Sequence, residues 1–116
     1  MSKYGNRKIT VDGITFDSRK EYQRWKELCL LEKAGTIRNL ERQVEYVLLP
    51  AQYEHGGDHT RHKGKCLERA VKYKADFQYI EGGKTIVEDT KGYRTKDYII
   101  KRKMLLYFYG IRIKEI

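Results

Sequence analysis

Apolar residues recur at helical spacing in two stretches of this chain. Between residues 19 and 34, Tyr22, Trp25, Leu28, Cys29 and Glu32 fall three or four apart, mostly apolar, which predicts an amphipathic helix. Asp17-Ser18 opens it and Gly35 suits the left-handed position after its end. The second stretch runs from a Thr95 cap to about Tyr109, ending at Gly110. Ile99, Ile100, Met104, Leu105 and Phe108 are expected inward, and Lys96, Lys101, Arg102 and Lys103 largely outward. The remaining pattern predicts strands. Residues 8–11 and 14–16 flank the hairpin signal Asp12-Gly13, with the residues before them expected to form a mobile basic arm. Residues 36–40 look extended and 44–49 read as a strand before Pro50. Residues 51–67 are polar and glycine-bearing, hence a loop or the splayed end of a hairpin. Runs 69–81 and 84–91 meet at Gly82-Gly83, and 111–116 can return as a last strand. After a small hairpin the order is helix, three strands, helix, strand. A helix between strands permits a parallel crossover, so an α/β fold with a mixed central sheet flanked by helices is expected.

Bulk properties narrow this picture. At 116 residues, positions 1–116 make a single domain, long enough to bury roughly two-thirds of its unfolded surface. The net charge of +9, from 25 Lys and Arg against 16 acids, is spread along the chain and favours a polyanionic partner, nucleic acid before an anionic membrane. No apolar run approaches the roughly 20 residues that span a bilayer, and no apolar stretch follows Met1-Ser2-Lys3-Tyr4-Gly5 as in a secretory leader. Cys29 and Cys66 form no CxxC or regular framework, so a reduced, cytoplasmic compartment is expected. Ten Tyr against one Pro indicate a folded chain.

The turn Gly82-Gly83 fixes a register. If it is a two-residue hairpin turn, Glu81 pairs with Lys84, and counting back places Asp76 opposite Asp89 and Lys74 opposite Lys91. Opposed side chains have Cβ atoms about 4.5–5.5 Å apart, where like charges destabilise unless a positive charge lies between them. A divalent cation would supply it. The plainer reading is a pair of diagonal salt bridges, Asp76 and Asp89 with Lys74 and Lys91, on a solvated face.

Ala75-Asp76, Asp89-Thr90-Lys91 and the following Gly92, in that order of elements, resemble the PD-(D/E)xK nuclease superfamily, whose restriction-endonuclease-like αβββαβ core carries an acid on its second strand and a (D/E)xK triplet on its third. Ser18-Arg19-Lys20-Glu21-Tyr22 resembles the Ser-x-x-Glu-Tyr helix of a small phage and prophage family within it. More distant likeness is to phage endonuclease I resolvases and the endonuclease subunit of Tn7-type transposases. The likeness runs from about Ile14 to Ile113, with Ala75 in place of the proline that names the motif. It implies a Mg2+-dependent DNA endonuclease, with Mn2+ able to substitute, leaving 5′-phosphate and 3′-hydroxyl ends. Asp76 and Asp89 would be metal ligands and the Thr90 carbonyl a third, since Mg2+ prefers a few hard oxygens and keeps waters of its own. Lys91, on the same side of its strand as Asp89, would orient or help deprotonate the attacking water, or stabilise the phosphorane; Glu88 would face away unless a bulge exchanged it with Asp89.

Other residues have two readings each. Glu21 matches a helix-borne, metal-directed glutamate of the superfamily, yet Ser18-x-x-Glu21 is also a capping box. Gln43 matches a glutamine near the site in some relatives, or is an ordinary solvated strand residue. His55, His59, His62 and Cys66 have a spacing that could encircle zinc, but Gly56-Gly57 and Gly64 favour a flexible loop that meets DNA. The basic residues of 61–69 and 96–103 are ordinary solvated charge, or phosphate contacts interleaved with Tyr93 and Tyr98. Lys74, Arg94, Lys96, Lys101 and Lys103 are the candidates. A nuclease this small would read duplex shape or a branch, which suits nicking or structure-selective cleavage in phage recombination, replication or packaging. A resolvase needs two active sites, making a homodimer a candidate assembly. The alternative is a non-catalytic basic DNA- or RNA-binding module on the same fold.

Overall fold

The computed structural model describes residues 7–56, 63–90 and 94–116. The expected basic arm before residue 7, His59, His62, Lys91 and Tyr93 lie outside the described residues. The elements are β1 (Ile9–Val11), β2 (Ile14–Phe16), α1 (Arg19–Lys33), β3 (Arg38–Leu49), β4 (Gln52–Tyr53), β5 (Cys66–Glu68), β6 (Val71–Glu81), β7 (Lys84–Asp89), α2 (Lys96–Tyr109) and β8 (Lys114–Glu115). Among the described residues the expected mixed α/β architecture is present: two helices, an N-terminal β1–β2 hairpin and a four-stranded sheet ordered β3-β6-β7-β8. β3, β6 and β7 are antiparallel neighbours, and β8 joins β7 in parallel after the α2 crossover.

Several boundaries differ from those the sequence predicts. The extended run 36–40 and strand 44–49 are one strand, β3, because Leu40 continues the apolar side that Trp25 and Leu31 of α1 cover. Part of 51–67 is ordered as the two-stranded β4–β5 arm. On α2, Ile100 and Phe108 are exposed rather than inward. Tyr98 and Leu105, seven residues apart, face the sheet; Ile100 follows Tyr98 by two residues, roughly 200° round the helix. Phe108 lies in the last turn and packs edge-on against Tyr107.

Two apolar clusters cover opposite faces of the sheet. Leu28, Ile37, Phe77 and Tyr79, with Trp25, Leu31, Leu40 and Ile86, pack beneath α1. Leu48, Tyr73, Ala75, Val87, Tyr98, Leu105 and Ile113 pack beneath α2. Strand β7 shows simple alternation, Ile86 to the first cluster and Val87 to the second. β3 does not: Leu40 belongs to the first and Tyr46 and Leu48 to the second, although all three are even-numbered. A period of two permits that only across a break. The break is Gln43, held at φ 52 within the strand. The pairs Arg42–Phe77 and Val44–Ala75 bracket Gln43 and Asp76, and here Ala75, Asp76 and Phe77 are buried in succession. Asp76 thus sits where the two faces of the sheet exchange sides.

Both helices have the predicted caps. Thr95 Oγ1 accepts from the Tyr98 N–H at 3.0 Å, and Gly110, at φ 68, donates its N–H to the Leu106 carbonyl. Thr95→Ala is expected to cost about 1 kcal/mol, a fall of about 4 °C in Tm measured by circular dichroism.

Candidate active site

The first turn of α1 and the middle of β6 bring carboxylates together. Ser18 caps the helix, its Oγ accepting the Glu21 N–H at 3.1 Å. Glu21 reaches back so that its Oε2 accepts the Asp17 N–H at 3.0 Å. Its other oxygen accepts from Gln43 Nε2 at 3.0 Å and from the Arg42 guanidinium at 3.5 Å. The capping reading is present in its first half, the Ser18 bond; the returning carboxylate bonds Asp17 N–H rather than Ser18 N–H and also faces Gln43 of β3. Asp76 Oδ2 accepts both the N–H and the hydroxyl of Thr90, each at 2.8 Å.

One carboxylate oxygen from each of Asp17, Glu21 and Asp76 lies within 4.8 Å of the other two. Glu21 and Asp76 are buried and Asp17 is exposed, so the cluster opens to solvent on one side. Burial pushes the Glu21 carboxyl above its usual range and the nearby Asp76 charge pushes it further; the Asp17 N–H and Arg42 oppose this only in part. The donors are all hard carboxylate oxygens, the donor chemistry that suits Mg2+ or Mn2+.

The predicted hairpin register is present: Glu81 pairs with Lys84, and the ladder runs to Phe77–Glu88, one step short of Asp76 and Asp89. Asp76 is clustered with Glu21 and Asp17, while Asp89 is buried on the α2 face, where it accepts the Tyr73 hydroxyl. Burial first, and the Asp89 charge second, push the Tyr73 hydroxyl well above its ordinary range. Glu88 faces the other way, as alternation predicts, and both its oxygens accept from Arg24 of α1 at 2.8 and 2.7 Å. The Tyr79 hydroxyl also donates to it. Gln43 is half-buried and donates to Glu21 rather than being solvated.

Sequence reasoning named neither Asp17 as a cluster member nor Arg42 and Arg24. Asp17 was visible only as a residue that opens a helix. Of the proposed zinc ligands, His55 and Cys66 are exposed on the β4–β5 arm; His59 and His62 lie outside the described residues. Lys74 and Lys101 line a recess of 240 Å³ with Tyr73 and Tyr98. Lys101 also pairs with Asp97 at 3.3 Å, and Arg94 with Glu115 at 3.2 Å, whereas Lys96 and Lys103 are exposed on α2.

A family model described as "Protein of unknown function (DUF1064)" matches residues 1–114. The chain belongs to the DUF1064 family. No curated protein and no solved structure matches it. For this DUF1064 member the geometry of its own residues therefore has to carry the functional reading.

Proposed function

We propose that this chain is a Mg2+-dependent DNA endonuclease of the PD-(D/E)xK type, acting by nicking or on branched DNA. The observation that carries the reading is the convergence of Asp17, just before α1, Glu21 on α1 and Asp76 on β6 onto one solvent-open point. The order α1, β3, β6, β7, α2, β8, with Asp76 on β6 and Asp89 closing β7, supports a restriction-endonuclease-like core around it.

Asp76, Glu21 and Asp17 would hold the metal, with Asp89 and Thr90 beside them at the end of β7. A bound divalent cation supplies charge for the phosphorane and acidifies water. The protein's part is to hold its ligands still. Thr90 fixes Asp76 through two hydrogen bonds, and Asp17 N–H and Gln43 fix the two oxygens of Glu21. Lys91, which follows Thr90, is assigned the motif's role of orienting the attacking water or steadying the phosphorane. Lys74 and Lys101, beside Tyr73 and Tyr98, and Lys96 and Lys103 on α2 would position phosphates. A homodimer would serve paired cuts across a junction.

A second reading has its own support. Asp76 and Glu21 accept internal hydrogen bonds, and Asp89 accepts the Tyr73 hydroxyl, as structural acids of a non-catalytic DNA- or RNA-binding module would. Supercoiled plasmid in Mg2+ or Mn2+ separates the two, with Asp89→Ala protein prepared in parallel. The expected result is nicking by the wild type alone. Equal DNA binding with no cleavage of plasmid or branched DNA by either protein would favour the binding module.

A further inference from the structure

Arg42 stands out as a largely enclosed cation whose hydrogen-bonding capacity is only partly used among the described residues. Its guanidinium lies 4.4 Å over the Phe16 ring and 5.7 Å from the centre of Trp25, with only 18% of the side chain exposed. One terminal nitrogen donates to the Thr15 carbonyl at 3.2 Å and to Glu21 Oε1 at 3.5 Å, while the buried Nε has no partner among the described residues. An optimised guanidinium–carboxylate pair closes to about 2.7–2.9 Å and uses two donors. Arg42 therefore has the position of a salt-bridge partner but not the bond lengths of one. Glu21 does not depend on it for placement, because the Asp17 N–H and Gln43 already hold both carboxylate oxygens. What Arg42 adds at this point is charge.

Resting on the metal-site reading above, we propose that Arg42 is the internal counter-cation of the acidic cluster: it partly neutralises Glu21 when no divalent cation is present and competes with one for that carboxylate. The flat guanidinium can shift along the aromatic faces of Phe16 and Trp25 without leaving them, and this is how it yields Glu21 when a divalent cation binds. The competition sets a threshold on metal affinity. Arg42 is thus a positioning residue for charge, and removing it strengthens metal binding rather than weakening it.

Isothermal titration of Mn2+ into the full chain without DNA tests this. Arg42→Met keeps an apolar side chain against the rings and removes the charge; its Kd is expected to fall tenfold or more below that of the wild type. Arg42→Lys keeps the charge and should stay within about threefold of wild type. The Mg2+-induced rise in Tm should likewise be larger in Arg42→Met, as mass action requires of a tighter site. Unchanged or weaker Mn2+ binding by Arg42→Met, with measurable binding by the wild type, overturns this inference and leaves the nuclease reading standing. Absence of Mn2+ binding in all three folded proteins overturns the metal-site reading and this inference together. If Arg42→Met does not fold, a Kd for Arg42→Gln at or above the wild-type value overturns it equally.

Discussion

Asp76→Asn is expected to lower Mg2+-dependent plasmid nicking by roughly 10³-fold or more, with the fold and DNA affinity retained. The substitution is nearly isosteric. The new amide keeps a carbonyl oxygen that can accept from the Thr90 N–H and hydroxyl, now both on Asp76 Oδ2 at 2.8 Å, so the end of β7 stays anchored. What disappears is one negative charge at the crossing of the two sheet faces, beside Glu21. If that charge holds a divalent cation, its loss removes the charge stabilisation of the phosphorane while leaving the basic surface that binds phosphates. If Asp76 is only a structural acceptor, Asp76→Asn should nick as the wild type does, and its DNA affinity should rise slightly because an acid near the phosphates is gone. Rates from single-turnover nicking, read beside a binding isotherm at fixed salt, distinguish these outcomes. Asp17→Asn belongs in the same experiment. It sits on the exposed side of the cluster, and a smaller loss, about 10–100-fold, is expected there. An unaffected Asp17→Asn beside an inactive Asp76→Asn would leave Glu21 and Asp76 as the pair that matters.

The parts of this site that were legible in the sequence are those governed by local rules. Gly82-Gly83 sets a two-residue turn, and because strand pairing propagates by counting, it carried the register as far as Phe77–Glu88. Ser18, Gly35, Thr95 and Gly110 marked helix ends for equally local reasons, and their caps are where the spacing put them. The reversal of faces at Gln43 has no such signal. Glutamine has no preference for positive φ, and nothing about residues 42–44 announces that β3 exchanges sides there. Yet this reversal brings Asp76 towards Glu21, while its charge also acts on Tyr73, whose hydroxyl Asp89 accepts. α2 misled for a different reason. Its apolar residues cover more than one side of the helix, so periodicity alone could not tell that Tyr98 and Leu105 face the sheet and Ile100 does not. Long-range ion pairs were invisible in principle, since Arg24 and Glu88 are 64 residues apart and each alone is an unremarkable charge.

That pair sets the second large effect. Arg24→Met is expected to destabilise the fold by about 3–5 kcal/mol at neutral pH, measured by urea unfolding. The Glu88 side chain is fully buried and Arg24 only 17% exposed, with two hydrogen bonds of 2.8 and 2.7 Å between them. Burial alone would raise the Glu88 carboxyl, but the hydrogen bonds from Arg24 and Tyr79 and the Arg24 charge outweigh it and hold the group below its ordinary value of 4.5. The sign follows. A carboxyl depressed in the folded state contributes stability that is complete above pH 4.5 and is lost as the pH falls through the lower folded value. Removing Arg24 strands that charge, and the Tyr79 hydroxyl alone cannot replace a guanidinium. The gap between wild type and Arg24→Met should therefore narrow as the solution is acidified, because the stranded carboxylate takes up a proton. Adding Glu88→Gln, which removes the charge but still accepts from Tyr79, should recover most of the loss at neutral pH. The exposed Arg24–Glu27 contact at 2.8 Å contributes little by comparison. A loss under 1 kcal/mol in Arg24→Met, or no recovery in the double variant, would show that the pair does not hold β7 against α1. The Asp89 end of the site would then depend on Tyr73 and the α2 face for its placement.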